Sequence, residues 1–232
     1  MKLIFQIIVL FPLMIFSQTD FEKAEKLFLQ KNYVLAKPIL MDFIKENPNH
    51  VKGLEYLGEI EGANKSWTKA MAYFLRLQKL KPTEANYYYK YGGCLGMKAK
   101  ESGKLKALGM IDEIKVSFEK AIQLKPNHVE ARWALIELYI QLPGIVGGSE
   151  KKAQEYSGQL LKISPVDGYL SKGRIAEYFE RYKEAEKNYK LAIEVGGSKI
   201  TYQKLANLYK YKMNQPEKAK LVLETYQEKN KS

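Results

Sequence analysis

"VSFEKAIQLKPNHVEA", Val116 to Ala131, carries an amphipathic run, a proline and the start of a second run. "AMAYFLRLQKLKPTEA" at residues 70–85 repeats that order, and "AEKNYKLAIEVGG" at 185–197 closes on two glycines instead. In each, apolar residues recur at helical spacing and a helix breaker follows. Prolines so placed occur at Pro48, Pro82, Pro126 and Pro165, with spacings of 34, 44 and 39 residues. Ala36 and Ala70 are 34 apart, and Ala153, Ala185 and Ala219 are 32 and 34 apart. A period near 34 predicts stacked helix pairs, because one hairpin alone cannot bury its apolar face and its neighbours can cover it.

The same register orders the remaining residues. Leu54, Leu57, Gly58, Ala70, Phe74 and Pro82 form one set; Tyr88, Tyr91, Gly92, Phe118, Ala121 and Pro126 form the next. Leu135, Tyr139, Ala153 and Pro165 follow, then Tyr169, Gly173, Ala185, Tyr189 and Ala192, then Tyr202, Leu205, Ala206, Tyr209 and Ala219. Ala24, Ala36 and Pro48 are the first copy, which is weaker, as are the fifth and sixth. This pattern resembles the tetratricopeptide repeat (TPR) family. The resemblance implies an all-α, TPR-type helix-hairpin solenoid, a right-handed superhelix of about six repeats, over residues 19–232. The repeats run approximately 19–50, 51–84, 85–128, 129–165, 166–198 and 199–232. Small residues at 58, 92, 173 and 206 are expected to let helices approach closely, with Asn49 or Asn127 capping the helix after the proline. Of the tyrosines in "YYYKY", residues 87–91, at least two are expected in the core, since neighbouring helical residues face different ways.

Two spacings exceed the period. Ten extra residues fall in "KAKESGKLKALGMIDEIK", where Leu105, Leu108, Ile111, Ile114, Phe118 and Ile122 predict an extended second helix with Ser102 and Gly103 near its start. Five more fall in Leu142–Ser149, within "LPGIVGGSEKKA". There Pro143 is expected to end one helix, the glycines to reverse the chain and Ser149 to cap the next, with Glu150 in its first turn. A phosphate-binding P-loop needs Lys-Ser/Thr after its last glycine and a strand before it; Ser-Glu follows Gly148 and a helix precedes. Gly147, Gly148 and Ser149 remain an anion-loop candidate through free amides at a helix start. The loop is similar to "PG-x-x-GG" in a subgroup of exported bacterial TPR proteins, which implies an envelope-facing setting.

The N-terminus "MKLIFQIIVLFPLMIFSQTD" places Lys2 before a 14-residue apolar run, Leu3–Phe16, interrupted only by Gln6. That layout predicts a signal peptide over residues 1–18, cleaved near Ser17 or Gln18, with an uncleaved anchor as the alternative. No cysteine lies there to carry a lipid. Net charge is +12, or +11 without Lys2, and it is almost all lysine, with arginine only at 76, 132, 174 and 181. Lysines alternate with acids in "KAEKLFLQK" and "YKEAEKNYK", as on solvated helix faces. The single cysteine, Cys94, is expected to be a buried apolar side chain.

His50 and His128 both stand in "PNH", which places both at helix starts. No cluster has metal-ligand spacing and no nucleophile–base pairing stands out, so no metal, cofactor or catalytic residue is expected. TPR proteins bind partners along the surface of their first helices. By register that surface includes Phe21, Glu25, Glu55, Glu59, Tyr89, Gly93, Met97, Trp133, Glu137, Arg174, Glu177, Tyr178, Gln203 and Asn207. Glu25, Glu55 and Glu59 carry the wrong sign for the clamp some TPR co-chaperones close on a C-terminal carboxylate. Acids backed by Tyr89, Met97, Trp133 and Tyr178 suit a partner segment with basic and apolar side chains. The expected function is a non-enzymatic protein–protein interaction scaffold of the periplasm or cell envelope. The alternatives are a polyanion- or anionic-lipid-binding module using lysine-rich second helices and the 98–106 segment, or an accessory subunit of an enzyme complex. Export disfavours nucleic acid, and membrane contact is expected only through an uncleaved signal or peripherally.

Overall fold

A computed structural model describes residues 20–230. The expected signal peptide, residues 1–18, lies outside the described residues. Residues 20–29 are helical (α1). There follow α2 (Tyr33–Glu46), α3 (Val51–Ala63), α4 (Trp67–Leu80), α5 (Ala85–Glu101), α6 (Lys104–Leu108) and α7 (Ile111–Leu124). After these come α8 (Val129–Gln141), a 3-10 turn (Gly144–Val146), α9 (Glu150–Ile163), α10 (Pro165–Tyr178), α11 (Tyr182–Gly196), α12 (Lys199–Tyr211) and α13 (Pro216–Lys229). Among the described residues there is no strand, and no helix is long and apolar enough to cross a membrane.

The chain divides into two compact units, one ending at Leu124 and one beginning at Lys125. In the first, α2 packs on α3, α3 on α4, α4 on α5 and α5 on α7. In the second, α8 packs on α9, α9 on α10, α10 on α11, α11 on α12 and α12 on α13; α8 also meets α10. Three helix hairpins thus make up each unit.

The register residues make these contacts. Ala24, Ala36, Ala70, Ala121, Ala153 and Ala185 are fully buried. Gly58, Gly92 and Gly173 each oppose an aromatic from their own hairpin's second helix: Phe74, Phe118 and Tyr189. A Cβ on Gly173 would stand 2.4 Å from the Tyr189 ring, inside any tolerable contact. Tyr87 and Tyr91 are buried while Tyr88 and Tyr89 are half-exposed, so two of the four tyrosines are core. Cys94 is buried too, and burial pushes its thiol up to about 11.

Four hairpin turns share one geometry. Lys31, Lys65, Glu180 and Asn214 sit at φ between 53 and 59°, a left-handed cap rare for non-glycine residues. The amide one residue later reaches back to the first helix, as Ser66 N to Glu61 O (2.8 Å) and Arg181 N to Ala176 O (2.9 Å). The two hairpins with insertions depart from this geometry. In the fourth, Gly147 takes the left-handed position at φ 94°. Ser149 caps α9 by accepting from Lys152 N, as expected.

Three details differ from the sequence reading. The ten-residue insertion does not extend the second helix. It lengthens α5 to 17 residues and adds the short α6, after which the chain breaks at Gly109–Met110 before α7. Leu105 and Leu108 have the helical spacing of Ile111 and Ile114, but they face solvent on a separate five-residue turn. The caps after the prolines come from His50 and His128, not from Asn49 or Asn127. Each Nδ1 accepts from the amide three residues on, Gly53 N at 3.1 Å and Ala131 N at 3.3 Å. Pro165 starts α10 instead of ending α9, because its fixed φ and missing N–H suit the first helical position.

Candidate functional site

In the first unit the candidate residues lie on α1, α3 and α5. Glu25 on α1 accepts from Tyr56 Oη (2.7 Å) and pairs with Lys52, both on α3. The Lys52 ammonium, then the Tyr56 hydroxyl, hold this carboxyl below the usual range. One hairpin further on, Lys90 of α5 reaches back to α3, where it bonds Glu55 (2.8 Å) and Glu59. Burial alone would depress the Lys90 ammonium; the two carboxylates outweigh it and hold its pKa above that of an ordinary lysine. Two acids around one ammonium leave this triad with a single net negative charge. Lys90 also lies 5.8 Å from the centre of the Phe74 ring.

Beside the triad runs a stripe of α5: Tyr89, Gly93 and Met97, four residues apart and therefore stacked on one helix face. Tyr89 is half-exposed, its ring 5.9 Å from Phe118. Met97 is 39% exposed. A Cβ at Gly93 would meet nothing within 4 Å. Glycine inside a helix costs roughly 1 kcal/mol relative to alanine, and packing within the unit does not account for it here.

In the second unit the same relationship recurs. Glu137 of α8 receives both arms of Arg174 from α10, at 2.8 and 3.1 Å. Burial opposes the Arg174 charge and Glu137 more than restores it. Arg174 also lies 5.6 Å from the Tyr178 ring centre. The Trp133 indole donates to Asp167 at 2.7 Å, again from α8 to α10. Glu177 accepts from the buried Tyr189 hydroxyl at 2.6 Å. On α12, Gln203 donates to Asn207 at 2.9 Å, both exposed.

The acids singled out from the sequence are therefore not an open anionic front. Each of Glu25, Glu55, Glu59 and Glu137 is paired with a cation from the next hairpin's first helix. Sequence reasoning missed Lys52, Lys90 and Asp167. The signal was present: a residue of complementary polarity stands about one repeat downstream, at separations of 31 to 37 for Glu59–Lys90, Trp133–Asp167, Glu55–Lys90 and Glu137–Arg174.

At the glycine loop, the Gly147, Gly148 and Ser149 amides donate to Gly144 O, Pro143 O and Tyr139 O at 3.0–3.1 Å. These three amides are thus bonded within the chain. Gly148 is required by space, since a Cβ would fall 1.8 Å from Leu142 O. Among the described residues no group of three or more His, Cys, Asp or Glu could hold a metal ion.

No protein-family model matches the chain, and no curated protein matches it by sequence. Solved structures do match it. A tetratricopeptide repeat protein from Parabacteroides merdae is 18% identical over 90% of this chain and 78% of its own, with a TM-score of 0.65. PilW, a widely conserved type IV pilus biogenesis factor, is 17% identical over 92% and 91%, with a TM-score of 0.63. YrrB, a TPR protein with an unusual peptide-binding site, is 15% identical over 78% and 87%, with a TM-score of 0.54. At these identities the likeness is one of fold: the chain is an all-α, TPR-type helix-hairpin solenoid of about six repeats.

Proposed function

We propose that this protein is a non-enzymatic interaction scaffold that holds a peptide or protein segment on the exposed face of its first helices. The observation that carries this reading is the stripe Tyr89–Gly93–Met97 on α5. An aromatic and a thioether stand either side of a glycine that no contact inside the unit requires. Such a gap admits a partner's side chain or backbone against the helix, with Tyr89 and Met97 as apolar walls. The Glu55–Lys90–Glu59 triad beside it adds one negative charge, which favours a Lys or Arg next to the apolar anchor. That the fold is shared with YrrB, whose peptide site is unusual, supports the same use of the surface without indicating where on this chain a peptide lies. The apolar N-terminal run and the "PG-x-x-GG" resemblance support a setting in the periplasm or cell envelope.

The test uses a photocrosslinking residue placed in the native host either at Met97 or at Lys79, which is exposed on the second helix α4. The scaffold reading predicts one discrete adduct from position 97 and none from position 79. The same adducts from both positions, or none from 97, would overturn it.

A further inference from the structure

The third hairpin's insertion puts four lysines into nine residues, Lys98, Lys100, Lys104 and Lys106, with one acid, Glu101. It also exposes two leucines. Leu105 is 86% exposed and Leu108 42%, and none of the five residues of α6 is buried. Leu105 therefore gains little from packing; what sets the pair apart is that both leucines stand among unpaired lysines. The insertion does not stand alone. Lys98, Glu101 and Ser102 at the end of α5 face the α3–α4 turn across a cleft of about 400 Å³, and Lys65, Trp67 and Lys69 line its other wall. Two successive hairpin turns of the first unit thus pool six lysines around two outward leucines. Elsewhere in this unit Lys37 pairs with Glu61, Lys45 with Asp42, Lys52 with Glu25, Lys90 with Glu55 and Glu59, and Lys115 with Asp112, while Lys23, Lys26, Lys79 and Lys81 form no ion pair among the described residues but are spread over separate helices and turns. Lys65, Lys69, Lys98, Lys100, Lys104 and Lys106 form no ion pair among the described residues.

From this juxtaposition we infer that the 65–69 turn and the 98–108 insertion form a docking edge for an anionic lipid bilayer. Unpaired lysines supply the long-range attraction, and a headgroup phosphate fits the cleft between Lys65, Lys69 and Lys98. Leu105 and Leu108 then enter the boundary between headgroups and acyl chains, where apolar area adds to the binding. The leucines favour a bilayer over a nucleic acid, whose phosphate backbone offers them no apolar phase. The absence of arginine from the cluster removes the forked donors that read bases. This edge begins at Lys98 and Glu101, immediately beyond Met97 on the same helix.

The test is co-sedimentation of the full chain with vesicles of phosphatidylcholine alone and of phosphatidylcholine with 30 mol% phosphatidylglycerol as the probe surface. The apolar N-terminal run, headed by Lys2, is common to every variant, so the readout is how each variant changes the excess partitioning onto the anionic vesicles. Each lysine near such a surface contributes about fivefold to partitioning. The double variant Lys104→Glu, Lys106→Glu should therefore lower the excess by at least about tenfold. Leu105→Ser with Leu108→Ser should lower it severalfold without changing the melting temperature. Lys218→Glu with Lys220→Glu on α13 changes net charge equally and should leave it within about twofold. An equal loss in the α13 control, no loss in the α6 variants, or no excess on anionic vesicles would overturn the inference. So would an α6-dependent affinity for a DNA duplex with none for the vesicles.

Discussion

Gly173 and Gly93 are both helical glycines on first helices, and they stand in opposite surroundings. Gly173 lies against Tyr189, itself fully buried and bonded to Glu177. Gly93 faces open space. Gly173→Ala should therefore destabilise the chain by about 1–3 kcal/mol through overpacking. Gly93→Ala should be neutral or stabilising by up to about 1 kcal/mol, since alanine restores helix propensity. Urea unfolding of the two variants beside the parent measures both. The close-packing glycines were legible in the sequence because Gly58, Gly92 and Gly173 share one place in the repeat as their aromatic partners do. The openness of Gly93 was not, because its neighbour Gly92 has the same residue type and only the helix phase separates a core glycine from a surface one.

At the scale of the helix, the start of α8 is set by a histidine. His128 is 2% exposed; its Nδ1 accepts from the Ala131 amide at 3.3 Å, and the Glu130 carboxylate lies 3.1 Å from the same nitrogen. Burial is the main cause that lowers its pKa from 6.5; Lys125 and Arg132 act the same way, while Glu130 opposes them. The folded-state pKa is thus below the unfolded one, so the unfolded chain binds the proton more readily. Stability from this group is complete above pH 6.5 and is lost as pH falls through the folded pKa. Protonation at Nδ1 also removes the cap, worth about 1 kcal/mol. His50, lowered first by burial and then by Lys52 against Glu25, acts with the same sign. The melting temperature should drop between about pH 7 and pH 5, and His128→Asn, which caps without titrating, should flatten that drop. A parent and variant with parallel profiles would contradict the assignment. The sequence placed both histidines at helix starts but not as caps, because histidine is not among the residues that usually cap. The insertion was misread for a related reason: leucine spacing continued in phase with α7, while Ser102 and Gly109 broke the chain into separate pieces.

At the scale of the whole molecule, periodicity carried the most information. Alanines, glycines and aromatics at a spacing near 34 residues specified helix hairpins. The inter-hairpin pairs were harder to see because each joins residues about one repeat apart, and a charge read alone looks like solvated surface. Within each unit those pairs neutralise most of the acids that the sequence presented as a groove front. In the first unit Tyr89, Met97 and the gap at Gly93 stay at least partly exposed, and in the second Tyr178, Gln203 and Asn207 do.

A partner seated in the gap at Gly93 is displaced when the gap is filled. The variant Gly93→Leu fills it from a helix-favouring residue whose Cβ meets nothing within 4 Å. With the photocrosslinking residue at position 97, the expected outcome is an unchanged or raised melting temperature together with loss of the discrete adduct. Retention of that adduct at the parent's level, in a chain that melts as the parent does, would contradict it.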